Sequence, residues 1–183
     1  KPGDEVIVPS HTYVASAAAI HYVGAVPVFV ECASDHLIDA ESVSAAITSK
    51  TGCVMPVQLN GRTANMDRIA EAIGDRPIPI VEDAAQALGS KFRSQSAGSF
   101  GAAGTFSFYP AKVLGCFGDG GAVITNDPDV ANRISLLRDH GRNEDGDVVA
   151  WGTNCRLDNL QAAILDFTLK TFDVDVARRR EIA

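Results

Sequence analysis

Lys112 ends the run Thr105-Phe106-Ser107-Phe108-Tyr109-Pro110-Ala111-Lys112, with apolar residues before it and Gly115, Gly118, Gly120 and Gly121 after it. An ammonium among apolar groups loses hydration that the neutral amine does not need, and a free amine can attack a carbonyl. A surface lysine after a proline turn is the ordinary alternative, and a second cluster weighs against it. In Ile78-Pro79-Ile80-Val81-Glu82-Asp83-Ala84-Ala85-Gln86, Ile78 to Val81 is expected to be a short, fully buried parallel strand. The acids then fall at its carboxyl end, the edge where open α/β sheets bind ligands. Asp83 can cap a helix there, or it can hold a protonated ring nitrogen. A Schiff-base lysine paired with an aspartate on a pyridinium nitrogen is the pairing that pyridoxal phosphate (PLP) chemistry requires.

The elements that must position these groups alternate between short β-branched runs and helical stretches, the pattern of a parallel sheet covered by helices. Strands are expected at Val6 to Val8, Val28 to Val30, Cys53 to Val57, Ile78 to Val81, Thr105 to Phe108 and Ala122 to Thr125. Helices are expected at Thr12 to Val23, Glu41 to Ile47, Met66 to Ile73, Pro128 to Arg138 and Leu157 to Thr171. Asp39 and Asp127 read as helix caps, since a carboxylate there accepts from the free amides of the first turn. No internal repeat, low-complexity tract or long linker interrupts the chain, so one domain over 1–183 is the simplest account.

Composition narrows the function classes. With 46% hydrophobic residues in 183, the chain can bury one substantial core. A formal charge of −7 opposes binding to nucleic acid or an anionic membrane. The apolar runs are shorter than a membrane span and Lys1-Pro2-Gly3-Asp4 is no signal peptide, so the reading is a soluble, cytoplasmic protein. Cys32, Cys53, Cys116 and Cys155 are widely spaced and read as free thiols, and the histidines do not cluster, so no metal is expected. The glycines after Lys112 match neither a Walker loop nor a dinucleotide fingerprint. They are expected to permit positive φ beside the lysine. Arg178-Arg179-Arg180 reads as a solvated helix face. No Gly-x-Ser-x-Gly elbow argues for a hydrolase.

Five segments in order carry a resemblance: Gly3-Asp4-Glu5-Val6-Ile7-Val8-Pro9, Gly24 to Val30, Val81-Glu82-Asp83-Ala84-Ala85-Gln86, Ser107-Phe108 through Lys112 to Gly121, and Gly152-Thr153-Asn154-Cys155-Arg156-Leu157-Asp158. Together they resemble the DegT/DnrJ/EryC1/StrS family of PLP-dependent nucleotide-sugar aminotransferases, along essentially all 183 residues. The resemblance implies an α/β fold: the three-layer α/β/α, aspartate aminotransferase-like large domain of fold type I, with a mostly parallel sheet. It also implies a central portion of that domain, without the family's N-terminal phosphate-binding turn and C-terminal small domain.

The implied roles follow residue by residue. Lys112 forms the Schiff base with PLP and moves the proton, and Asp83 keeps the pyridine nitrogen protonated. Gln86 lies near the ring hydroxyl, on the face of Asp83 if a helical turn begins there. Tyr13 stacks on the ring, and Ser107 binds the phosphate. Asn154, two residues before Arg156, reaches the phosphate of a neighbouring subunit, which implies a homodimer. Cys155 and Asn60 stand where aromatic residues are common in the family. The implied reaction moves an amino group, from glutamate, to a nucleotide-linked keto-sugar. A PLP-dependent sugar dehydratase is the near alternative, and Lys112 argues against it because that branch carries histidine. An inactive module that dimerises or binds a partner is the other.

Overall fold

β1 (Glu5–Pro9) is buried from Val6 to Pro9 because it runs between two parallel neighbours, β2 (Val26–Val30) and β3 (Thr51–Val54). A strand covered on both faces carries a continuous apolar run rather than an alternating one. β2 lies at the sheet edge and is correspondingly more exposed. Two bridges, Val54 to Ile80 and Val57 to Asp83, carry the parallel order from β3 to β4 (Val81–Asp83), which pairs in parallel with β7 (Ala103–Ser107). Between them β5 (Lys91–Phe92) and β6 (Gln95–Ser96) form a small antiparallel hairpin that was not anticipated.

The computed structural model describes residues 1–183 and divides into two compact units, Lys1–Phe106 and Ser107–Ala183. The first unit holds the main core, centred on Ile7, Val8, Ile20, Val43, Val54 and Ile69, each at most 2% exposed. α1 (Val14–Tyr22) packs on β1 and β2, while α2 (Ala40–Ala46) packs on β2 and α3 (Met66–Ile73). α3 has the expected bounds, set by the apolar positions Met66, Ile69 and Ile73 and capped by Asn65, which accepts from Arg68 N. Asp39 caps α2 by accepting from both the amide and the hydroxyl of Ser42, each at 2.8 Å.

The second unit contains β8 (Gly121–Ile124), α4 (Pro128–Leu137), α5 (Asn159–Leu169) and α6 (Phe172–Ile182). Asp127 caps α4 through Asp129 N at 2.8 Å and Val130 N at 3.3 Å, with Pro128 in the first turn where its missing N–H costs nothing. α6 carries Asp173 and Asp175 in its first turn and Arg179 and Arg180 in its last, charges that complement the helix dipole, and no residue of it is buried.

Two expected strands moved for one reason. Pro79 has no N–H to give a ladder, so around it only an isolated bridge forms, and the strand proper begins at Val81. Ile78 and Ile80 are half-buried and Pro79 is exposed, so the expected fully buried strand from Ile78 to Val81 is corrected to Val81–Asp83. Pro56 shortens β3 in the same way, leaving Val57 as a bridge.

Candidate functional site

The shift of β4 places both acids inside the strand, where successive side chains point to opposite faces. Glu82 is 0% exposed and accepts four hydrogen bonds. They come from Gln58 Nε2 (2.9 Å), Gly98 N (2.8 Å), Phe100 N (2.6 Å) and Gly101 N (3.1 Å). Gln58, also 0% exposed, accepts in turn from Ala64 N at 2.7 Å. The loop can press its amides onto Glu82 because residues 98 and 101 are glycines. Gly98 has φ +84°, and a Cβ on Gly101 would stand 2.2 Å from the Ile80 carbonyl oxygen.

Asp83, the last residue of β4, is half-buried at the carboxyl end of the strand. Its Oδ2 accepts from Ser16 Oγ at 2.7 Å and its Oδ1 from Ala85 N at 3.1 Å. Ser16 lies in the first turn of α1, is 4% exposed, and is also 2.7 Å from Thr12 Oγ1. Tyr13 occupies the N-cap of α1, is 71% exposed and makes no side-chain capping bond. No helix follows Asp83. Ala87 N closes a turn on Ala84 O at 3.0 Å, so Gln86 sits in that turn and not on a shared helical face. Gln86 Oε1 accepts from Asn60 N at 3.2 Å and its carbonyl from Gly61 N at 3.0 Å. Asn60 itself holds a left-handed φ of 54°, a conformation that asparagine tolerates better than most residues.

In the second unit, Pro110 opens the turn Tyr109-Pro110-Ala111-Lys112, closed by Lys112 N donating to Tyr109 O at 2.9 Å. Lys112 is half-buried, and its ammonium is in none of the ion pairs of the chain. Buried Cys116 fastens the segment beyond it: its amide and thiol both donate to Phe108 O, at 2.8 and 3.0 Å. None of Gly115, Gly118, Gly120 and Gly121 has positive φ, which corrects the expectation drawn from the sequence. Gly115 is required instead by close approach. A Cβ there would lie 2.8 Å from the Pro110 carbonyl oxygen and 2.9 Å from that of Tyr109, so only a bare backbone fits under the lysine turn.

Ser107 is half-buried and its Oγ accepts from Tyr109 N at 3.3 Å. Asn154 is exposed, bridges Asp139 in antiparallel fashion, and accepts from Arg156 Nε at 3.1 Å. Arg156 in turn pairs with Asp139 at 3.1 Å. The two units therefore divide the expected site residues: Tyr13, Asp83 and Gln86 lie in the first, Ser107, Lys112 and Asn154 in the second. Thr12, Ser16 and Gln58 were missed by the sequence reading, which placed Glu82 with Asp83 at the strand end but gave it no role of its own. The signal of Ser16, Gln58 and Glu82 is buried polarity, which appears only once the chain is folded.

Residues 1–183 match the DegT/DnrJ/EryC1/StrS aminotransferase family over their full length. The chain belongs to that family. It is 48% identical over 183 residues to dTDP-3-amino-3,4,6-trideoxy-alpha-D-glucose transaminase of Streptomyces venezuelae, covering 100% of this chain and 48% of that protein. It is 40% identical to UDP-2-acetamido-2-deoxy-3-oxo-D-glucuronate aminotransferase of Pseudomonas aeruginosa, covering 100% of this chain and 51% of that protein. Among solved structures, S. venezuelae DesV in complex with a ketimine intermediate superposes with a TM-score of 0.89 at 48% identity, over 94% of this chain and 47% of that one. The Escherichia coli GDP-4-keto-6-deoxy-D-mannose-3-dehydratase with bound hydrated PLP gives 0.92 at 28% identity, over 99% and 51%. The chain thus spans about half the length of the relatives it matches and has the α/β fold of the fold type I PLP-transferase domain.

PLP is the cofactor of this family, and each unit by itself carries a side chain of a type that PLP needs. A ring nitrogen that carries a proton needs an oriented acceptor, and Asp83 is a carboxylate fixed at both oxygens with lone pairs left over. A carbonyl carbon needs a side-chain nitrogen that no carboxylate holds, and Lys112 is in no ion pair. No group of His, Cys, Asp and Glu side chains in the chain is arranged to hold a metal ion, and all four cysteines are free. No helix is long and apolar enough to cross a membrane.

Proposed function

We propose that the chain is the cofactor-holding part of a PLP-dependent aminotransferase that moves an amino group, from glutamate, to a nucleotide-linked keto-sugar, and that both units belong to one PLP-binding domain. The observation that carries this is the oriented Asp83 carboxylate at the carboxyl end of β4, in a chain whose whole length matches an aminotransferase family. The names of the relatives, transaminases and aminotransferases of dTDP- and UDP-linked sugars, support the substrate class.

PLP, when bound, supplies a carbonyl carbon for amine exchange and a ring that withdraws electrons while its nitrogen is protonated. The chain's residues do the rest. Asp83 holds the proton on the ring nitrogen. Lys112 would hold the cofactor at its carbonyl carbon, and its amine would take and return the proton on the substrate carbon as a general base and acid. Gln86 is fixed by the Asn60 amide at its oxygen, which leaves its NH2 to donate to the ring hydroxyl. Tyr13 offers an exposed aromatic face for stacking. Ser107 donates to the phosphate. Asn154 serves the phosphate of a second copy, which makes the working form a homodimer, and we place the reaction in the cytoplasm. Lysine at 112, rather than histidine, favours amine transfer over sugar dehydration.

The test is uptake of PLP by the protein, followed by borohydride reduction and mass mapping of the fixed lysine. The expected result is a reducible visible band and a single adduct on Lys112, both lost in Lys112→Ala. A folded protein with neither would reduce the chain to a partner-binding module. Retained amine transfer in Lys112→Ala would remove the lysine from the chemistry.

A further inference from the structure

We propose that Ser16 and Thr12 form a one-way hydroxyl relay that positions Asp83, so that Ser16 and Thr12 are positioning residues for whatever protonated group Asp83 holds. The inference rests on the reading of Asp83 as the partner of the PLP ring nitrogen.

Ser16 is 67 residues from Asp83 in sequence yet donates to its Oδ2 at 2.7 Å. A carboxylate only accepts, so the single hydrogen of the Ser16 hydroxyl is committed to Asp83. Ser16 then meets Thr12 Oγ1, also at 2.7 Å, as an acceptor, and Thr12 must be the donor. Each hydroxyl therefore has one direction. The second oxygen of Asp83 is held by Ala85 N at 3.1 Å, so the carboxylate is gripped from the helix on one side and from its own turn on the other. One lone pair remains on each oxygen, aimed by these two bonds.

Packing alone gives no reason for serine at this position. Ser16 is 4% exposed within Val14-Ala15-Ser16-Ala17-Ala18-Ala19, and alanine is the better helix former. A buried hydroxyl is kept where its hydrogen has a receiver. Here the receiver is the one side chain of β4 that still has acceptor capacity to spare.

The test uses Ser16→Ala, Thr12→Val and Thr12→Ser in the full chain, reading thermal midpoint, PLP dissociation constant and the visible spectrum of bound PLP. Ser16→Ala is expected to fold, to weaken PLP retention about tenfold, the scale of a hydrogen bond to a charged group, and to change the visible band. Thr12→Val, isosteric but without a hydroxyl, should change the band in the same direction by less, and Thr12→Ser should restore the parent band. A purely structural role would lower the thermal midpoint of Thr12→Val while leaving the spectrum of the folded fraction unchanged, and that result overturns the relay. So does a Ser16→Ala protein with parental PLP affinity and spectrum. If the parent chain itself takes up no PLP, the aminotransferase reading falls with the relay. If the parent binds and the variants match it, only the relay falls.

Discussion

Glu82 and Asp83 are adjacent carboxylates on one short strand, and the two faces of β4 treat them in opposite ways. The inward face exhausts Glu82: four N–H groups converge on it and it is sealed from water. The outward face uses Asp83 sparingly, with one hydroxyl and one amide, and leaves it half-buried. An acceptor whose capacity is filled by the protein can only hold the fold together. One that is oriented but unfilled can receive something else. Consecutive acids of similar chemistry thus divide into a structural and a functional group by side-chain alternation alone.

The largest expected effect breaks the inward face. Glu82→Ala strands three backbone amides and the Gln58 amide, and should lower unfolding free energy in urea by at least about 3 kcal/mol. A loss under about 1 kcal/mol would mean that the inward carboxylate is no more structural than its neighbour. Asp83→Asn should show the reverse profile. We expect stability within about 1 kcal/mol of the parent and PLP-dependent amine exchange down on the order of a hundredfold, the scale of losing one preorganised electrostatic partner. Equal losses of stability in the two variants would erase the distinction between the faces.

A pH titration sharpens the comparison from the neighbouring strand. Burial pushes the Cys53 thiol on β3 up to about 11. The folded state therefore holds this proton more tightly than the unfolded chain does. The thiol's contribution is fully present below its ordinary range near 9 and is lost as pH rises toward 11, by about 2 kcal/mol. Denaturant midpoints should fall across that window in the parent and stay flatter in Cys53→Ala, while the Asp83 variants keep the parental slope. The smallest effect belongs to a control remote from both faces. Asp39→Ala removes the cap of α2 at a cost of about 1 kcal/mol. The bonds from Ser42 hold the Asp39 carboxyl below its usual range, so the contribution is present above about pH 4 and fades as pH falls below it. A thermal melt at pH 7 and at pH 3 reads the difference.

Local signals were legible from the sequence. α3 has the expected bounds and Asp39 and Asp127 cap as expected, because periodicity and capping act within one turn of chain. β4 was misplaced because two isoleucines flanking Pro79 look like a strand interior, while the missing N–H moves the ladder to Val81. The β5–β6 hairpin escaped notice because its turn uses Arg93 at φ 53° rather than a glycine or asparagine signal. Gly115 was assigned the wrong property, since close approach depends on the Tyr109 and Pro110 carbonyls folding back over it. At the candidate site, the acids and the lysine could be picked out by residue type. Ser16 could not, since within an alanine-rich helix it is one small residue among several, and only folding brings it to Asp83.

The Glu82 contacts also determine how the chain should behave in deuterated water. Residues 97 to 101 lie in no helix or strand, and amides in such a segment ordinarily exchange quickly. Those of Gly98, Phe100 and Gly101 are bound to a carboxylate that water does not reach. They should exchange as slowly as the amides of β1, forming a protected island in a loop, and all three should become fast together when that one side chain is removed.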